Sequence, residues 1–374
     1  MKYCKSCLQP DTRPGEKFSV EGNCLACGNF ALMGKIDFED RFLTLLDILK
    51  RFPKKPGQLF DCILGVSGGK DSTRQALWVR DKLGLNPLLV SMCWPPEQLN
   101  ERGARNISNL IEQGFDLVVS GPAPQTWRKL MRASFLRFGN WARSTELALY
   151  SSVPQAAIRH DIQLIFNGED PGQKELQALG AFGWDNNNVR NLNTLSGAKL
   201  DWLLAEIGDA SRLLPFMYPD PQQFERSGIQ IVDLGWFLGD WSFKTNGAHA
   251  ASSGLDPRSE PPEMTGDPSY VSSLDEDWVS VNQIVKYYKF GFGKATDYLN
   301  EEMRFGRLSR EQAIPLAEKF DGNCDEKLIE SFCEYIDITV DQFWSQVRQV
   351  ANRALFDIGS GKSIRPRFKV GVGL

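Results

Sequence analysis

The densest chemistry in the chain lies at Val66-Ser67-Gly68-Gly69-Lys70-Asp71-Ser72, directly behind the apolar residues Cys62, Ile63, Leu64 and Gly65. A strand that ends in Gly-Gly and turns at once into a helix aims several backbone N–H groups at one point. The helix N-terminus adds partial positive charge there, which makes the point an anion site. Ser67 and Ser72 contribute hydroxyls, and Lys70 contributes a mobile charge suited to phosphate oxygens. The common phosphate loop is excluded, because Leu64 occupies its first glycine position and Asp71 follows the lysine. Gly361-Lys362-Ser363 fails the same test, with Phe356 where glycine is required.

A second constellation is Cys4-x-x-Cys7 and Cys24-x-x-Cys27, two knuckles separated by a short loop. This spacing suits a tetrahedral Cys4 site, most simply structural Zn²⁺ in a zinc ribbon, with a redox or iron–sulfur role as the rival. Cys62, Cys93, Cys324 and Cys333 stand singly in apolar contexts and read as core thiols. Only two histidines exist, His160 and His249, so imidazole bases and His-rich catalytic zinc have little to work with.

These groups need a scaffold. The chain has 374 residues, 42% of them hydrophobic and 24% charged, enough for more than one domain. Its net charge is -4, so no general basic field attracts nucleic acid. No stretch is apolar and long enough to span a bilayer, and the expectation is a cytoplasmic protein. Residues 1–36 read as the metal-stapled module and 37–57 as a linker helix. Residues 58–248 alternate strand and helix as a doubly wound parallel α/β sheet. Strands are expected at 61–66, 86–93, 116–120, 162–167 and 229–233, and helices at 72–83, 97–113, 125–138 and 153–159. Residues 250–275, rich in Ser, Pro, Gly and Asp, read as a linker or a loop ordered on binding. The remainder of 249–374 reads as a helical, substrate-binding region, with capping boxes at Ser309/Gln312 and Thr339/Gln342.

Ligands of open parallel sheets sit beyond the carboxyl ends of the strands. That rule adds Val90-Ser91-Met92 after the second strand and Asn167-Gly168-Glu169-Asp170 after a later one, whose carboxylates suit Mg²⁺ on a triphosphate. Lys289-Phe290-Gly291-Phe292-Gly293-Lys294-Ala295-Thr296-Asp297 is a further anion-loop candidate. Asp240, Trp241, Phe243, Lys244 and Asn246 could line a sugar pocket.

The loop at 67–72 resembles that of the adenine-nucleotide alpha-hydrolase (ATP pyrophosphatase) superfamily. That loop, the cysteine knuckles, Gly168-Glu169, the 289–297 segment and Glu302-Met303-Arg304-Phe305-Gly306-Arg307-Leu308-Ser309-Arg310-Glu311 together resemble the N-acetyl sugar amidotransferases of surface-polysaccharide biosynthesis, the WbpG/PseA type. The resemblance implies an ATP-dependent, AMP-forming conversion of an acetamido sugar to its acetamidino form. It implies catalytic roles for Lys70, Asp71, Lys289 and Arg304. It implies nucleotide contacts from Val66, Ser67, Gly68, Gly69, Asp71, Ser72, Ser91, Met92, Gly168, Glu169, Lys294 and Asp297. The acceptor would be a nucleotide- or lipid-linked acetamido sugar, and ammonia would come from HisH-like glutaminase and HisF-like partner subunits. Two rival readings are a tRNA-modifying ligase or thiolase and a nucleotide-binding scaffold without turnover.

Overall fold

The computed structural model describes residues 1–170, 183–191, 195–360 and 363–373. Gly361 and Lys362 of the excluded phosphate-loop match lie outside the described residues.

Five strands form one parallel sheet: β1 (Cys62–Gly65), β2 (Pro87–Met92), β3 (Leu117–Ser120), β4 (Leu164–Asn167) and β5 (Gln230–Asp233), in the order β3-β2-β1-β4-β5. All pairings are parallel, with Leu64 opposite Leu89 on one side and Phe166 on the other. This is the doubly wound α/β architecture expected. The strands are short and almost wholly apolar because both faces are covered. Side chains alternate between two cores: Ile63, Leu88, Val90, Met92, Ile165 and Ile231 enter one, while Cys62, Leu64, Leu89, Phe166 and Val232 enter the other.

Helices in chain order are α1 (Leu25–Met33), α2 (Phe38–Arg51), α3 (Lys70–Leu83), α4 (Glu101–Glu112), α5 (Pro124–Phe138), α6 (Ala142–Arg159), α7 (Asp201–Ile207), α8 (Pro221–Ser227) and α9 (Phe243–Ser252). The C-terminal region adds α10 (Pro262–Thr265), α11 (Val279–Phe290), α12 (Lys294–Arg304), α13 (Arg310–Phe320), α14 (Glu326–Tyr335) and α15 (Val340–Val350). Both predicted capping boxes are formed, at the starts of α13 and α15. Gly84, in a left-handed conformation at φ 67°, ends α3. Among the described residues no helix is long and apolar enough to cross a membrane.

Three features differ from the sequence reading. The helix expected at 153–159 begins at Ala142, because Pro154 sits inside it where periodicity alone suggests a start. A helix, α1, begins inside the second cysteine knuckle and carries Cys27 in its first turn, with the Cys24 side chain capping it. Residues 250–275 are not a linker: α9 runs on to Ser252, and the rest folds back over α4. Buried Arg102 pairs there with Glu260 and Asp277, and buried Arg258 pairs with Asp277 while donating to the Ser273 carbonyl.

Candidate active site and metal centre

The strand order reverses between β1 and β4, so the loops leaving these neighbours diverge and open a crevice at their carboxyl ends. A cavity of about 360 Å³ lies there. Its walls are Gly65–Ser67 and Gly69–Ser72 at the start of α3, Val90 and Met92 of β2 with Trp94 beyond it, Asn167 at the end of β4 with Gly168 and Glu169, Leu149, Tyr150 and Ser152–Pro154 of α6, Asn186, and Val271–Asp275 of the folded-back segment.

The loop's glycines have separable reasons. Gly68 sits at φ 74°, and a Cβ there would lie 2.9 Å from backbone atoms of Asn106 and Ile107 in α4. Conformation and space both exclude a side chain. Gly69 caps α3 without any side-chain hydrogen bond, which leaves the first N–H groups of the helix to a ligand. Ser72 Oγ donates to the Gly69 carbonyl at 3.2 Å, and Thr73 Oγ1 to the Gly68 carbonyl at 3.4 Å, so hydroxyls hold the turn from below.

Lys70 and Asp71 are braced from α9. Lys70 Nζ meets Asp71 Oδ2 at 2.6 Å and lies over the Phe243 ring, 4.1 Å from its centroid. Asn246, fully buried, donates Nδ2 to Asp71 Oδ1 and accepts from Arg74 through Oδ1. Arg74 is held in turn by Asp240 at 2.7 Å. Across the cavity the Asp233 carboxylate accepts from Asn167 at 2.8 Å and from Asn186 at 2.9 Å. Burial pushes the Asp233 carboxyl well above the usual range, and Glu169 and Asp170 beside it push the same way.

Of the nucleotide-contacting residues expected, Val66, Ser67, Gly69, Lys70, Asp71, Ser72, Met92, Gly168 and Glu169 share this cavity. Gly68 faces α4 instead. Ser91 is not among the lining residues, since period-two alternation turns it to the Leu89 side of the sheet. Lys294 lies behind Ser272 and Ser273, in a small recess shared with Asp267 and Gln283, and its ammonium is 5.0 Å from the Phe243 centroid. Burial, with Lys70 and Lys286 nearby, pulls the Lys294 pKa down. Asp297 is bound to Lys286 and Arg13; burial would raise its carboxyl, but these cations outweigh it and hold it well below the usual range. Lys289 turns away to the Phe138 carbonyl at 3.1 Å. Arg304, at the end of α12, stands outside the cavity wall. Trp241 is core, and Phe243 and Asn246 brace the loop from behind rather than lining the cavity.

Several wall residues were missed. Gln75 is one helical turn after Asp71 and so shares its face, a spacing that could have nominated it. Trp94, Tyr150, Asn186 and Val271–Asp275 enter through tertiary packing, which no local pattern announces.

At the other end, the four sulfurs of Cys4, Cys7, Cys24 and Cys27 are buried and lie within 4.8 Å of one another. Cys7 Sγ and Cys24 Sγ are 3.7 Å apart. One tetrahedral ion with bonds of about 2.3 Å separates its sulfurs by roughly 3.8 Å, so the set fits a single ion. A polynuclear cluster, whose thiolates bind separate metal atoms, spreads them further. Backbone N–H groups of Gln9, Cys24 and Cys27 point at Cys7, Cys4 and Cys24 sulfurs, as thiolate ligands require. The module is docked on α12 and α13. Leu8 is buried among Ala295, Leu299, Ala313, Ala317 and Phe320, its N–H bonds Asn300 at 2.8 Å, and Arg310 reaches the Cys7 carbonyl.

Comparison with known proteins bears on the segment that closes the cavity. Residues 269–365 match the family model of the LPS biosynthesis protein WbpG-like C-terminal domain. The chain carries a WbpG-like C-terminal domain. The resemblance to the WbpG type read from the sequence is thus borne out, and Val271–Asp275 in the cavity wall belong to that domain. No curated protein matches the sequence. Among solved structures, the U34-tRNA thiolase NcsA from Methanococcus maripaludis with its [4Fe-4S] cluster is similar at 12% identity, covering 90% of this chain and 95% of that one. Its TM-score is 0.25, and at that level the likeness carries no argument.

Proposed function

We propose that this protein is an ATP-dependent, AMP-forming amidotransferase that converts an acetamido group of a nucleotide- or lipid-linked sugar to an acetamidino group in lipopolysaccharide biosynthesis. One observation supports the reading above the rest: the WbpG-like domain sends Val271–Asp275 into the wall of the cavity built by the Ser-Gly-Gly-Lys-Asp-Ser loop. The Ser-Gly-Gly-Lys-Asp-Ser loop and the segment similar to the WbpG-like domain therefore line one chamber.

An amide carbon resists displacement because its oxygen leaves poorly. The acetamido oxygen attacks the α-phosphorus of ATP, pyrophosphate departs, and the O-adenylyl imidate carries AMP as a good leaving group. Ammonia then takes its place. The protein's part is positioning and charge neutralisation. The uncapped N–H groups of α3 and Lys70 hold phosphate oxygens, Asp71 keeps Lys70 in place, and Glu169, with Asp170 beyond it, would hold Mg²⁺ against them. Zn²⁺ in the cysteine module would be structural, fixing the surface on which α12 and α13 pack. Ammonia would be supplied by a glutaminase partner.

The test is incubation with ATP, Mg²⁺, ammonium and UDP- or CMP-linked diacetamido sugars. AMP, pyrophosphate and a sugar about one mass unit lighter are expected. ADP and phosphate in their place would refute α-phosphate chemistry.

A further inference from the structure

Three consecutive carboxylates, Asp275, Glu276 and Asp277, stand where the folded-back segment meets the cavity, and each is used differently. Glu276 is 2% exposed, with Oε1 taking the Val279 N–H at 2.8 Å and Oε2 the Gln98 amide at 3.3 Å. Asp277 Oδ1 is shared by Arg102 and Arg258. Asp275, half-buried, is the one of the three that lines the cavity. Its Oδ2 accepts from the Trp94 indole N–H at 2.6 Å. Trp94 packs edge-on against Trp127 and Trp141, with ring centroids 5.6 and 6.3 Å away, so packing fixes the direction of that N–H. Among the described residues no other residue bonds Asp275 Oδ1, and this oxygen is not closed off from solvent. The backbone beneath is clamped. Arg258 donates to the Ser273 carbonyl at 2.6 Å, Arg102 to that of Leu274 at 3.1 Å, and the Asn100 N–H to that of Asp275 at 3.2 Å. Tyr270 and Ser273 stand at φ 60° and 51°, conformations that non-glycine residues keep only where their surroundings impose them. Gly103 lets α4 close on the segment, since a Cβ there would lie 2.5 Å from the Asp275 Cα. One carboxylate oxygen is thus held in place with nothing of the protein to bind.

We propose that Asp275 is the catalytic acceptor for the acetamido N–H proton of the sugar during adenylation. The inference rests on the amidotransferase reading. A trans amide points its N–H away from its carbonyl oxygen. With that oxygen turned to the α-phosphate at the 66–72 loop, the acceptor must come from another wall, and Asp275 is supplied by the WbpG-like segment. In the step, a carbonyl lone pair bonds to the α-phosphorus, and the bond from that phosphorus to the bridging oxygen breaks with its electrons leaving on pyrophosphate. The new O–P bond draws electrons from nitrogen and makes the N–H acidic. Asp275 Oδ1 takes the proton, the N–H electrons stay on nitrogen, and a neutral O-adenylyl imidate is left. The proton then passes from Asp275 to solvent. Burial raises the Asp275 carboxyl, the Trp94 hydrogen bond and Arg258 pull it back in part, and Asp277 adds to the rise. Glu276 and Cys93 are its other ionisable neighbours, while Arg102 on α4 is occupied by Glu260 and Asp277. A raised carboxyl is the better matched base for such a proton.

Full-length wild type, Asp275→Asn and Trp94→Phe are compared in pyrophosphate–ATP exchange without ammonium, with UDP- and CMP-linked diacetamido sugars, across the pH range in which each is folded by circular dichroism. Asp275→Asn keeps the shape and an acceptor for Trp94 but cannot take a proton. Its maximal exchange rate is expected to fall by about 100-fold or more, with sugar and ATP half-saturation little changed. Trp94→Phe keeps the carboxylate but removes a hydrogen bond that favours its charged form, so the Asp275 pKa rises. The limb along which exchange falls in acid should therefore move to higher pH, a shift that a purely structural role would not produce. This second variant decides the matter if Asp275→Asn fails to fold. Wild-type exchange in Asp275→Asn, a loss confined to sugar half-saturation, or an unmoved acid limb in Trp94→Phe overturns the assignment alone. Absence of sugar-dependent exchange in the wild type overturns the amidotransferase reading and this inference together.

Discussion

Asn246 offers the sharpest test of how the loop is held. Its amide links Asp71 to Arg74 at a position with no solvent exposure, and α9 supplies it to α3 across 172 and 175 residues of sequence. Asn246→Ala removes two hydrogen bonds to charged groups, each worth about 1.5–3 kcal/mol. Arg74 keeps Asp240 at 2.7 Å and Asp71 keeps Lys70 at 2.6 Å, so neither charge is orphaned. A net loss of about 2–4 kcal/mol is expected after this partial compensation, read from urea denaturation midpoints at constant m. Asn246→Asp separates the two halves of the brace. It preserves an acceptor for Arg74 but sets a carboxylate against Asp71. Stability should therefore fall less than in the alanine variant near neutral pH only if Arg74 dominates, whereas ATP-dependent turnover should collapse in both. An Asn246→Asp protein with wild-type stability and wild-type turnover would refute the argument that this amide positions Asp71.

Gly68→Ala should cost roughly 1–2 kcal/mol from its left-handed backbone alone, and the contact with α4 backbone adds to it. ATP affinity by calorimetry should fall at least as steeply as stability, and unchanged affinity would detach Gly68 from the phosphate site. Metal analysis should find one zinc per chain. A strong chelator or Cys24→Ser should lower the melting temperature of the whole protein, because Leu8 and Arg310 tie the module to α12 and α13. Glu276 is buried beside Gln98, and burial, with Asp275 and Asp277 adding to it, pushes its carboxyl up to about 8. Its neutral form is the one the fold favours, so its contribution is complete below the unfolded pKa of about 4.5 and is lost as pH rises through about 8. Glu276→Gln should flatten the decline in stability between those values, and identical pH profiles for variant and wild type would contradict this.

The reach of sequence reasoning here followed the range of the interactions. A strand, two glycines and a helix are local events, so the loop at 66–72 and the α3 helix behind it are legible in order. Cys4, Cys7, Cys24 and Cys27 are similarly legible, since knuckle spacing reports the reach of four thiolates to one ion. Near-continuous apolar runs at 61–66 and 86–93 foretell a sheet covered on both sides. What a linear pattern does not carry is which distant elements meet. Lys289 and Lys294 sit five residues apart in one glycine-rich stretch, yet helix geometry sends Lys289 to the Phe138 carbonyl and Lys294 toward Phe243. Ser91 and Met92 are neighbours, yet the pleat puts them on opposite faces. Composition marks 250–275 as a linker, but buried Arg102 and Arg258 need carboxylates, and pairing with Glu260 and Asp277 folds that segment onto the cavity. The donor groups of the 66–72 loop are thus written in the chain, whereas the Asn246 brace and the joint hold of Asn167 and Asn186 on Asp233 arise only when packing brings separate elements together and leaves their polar atoms to find partners.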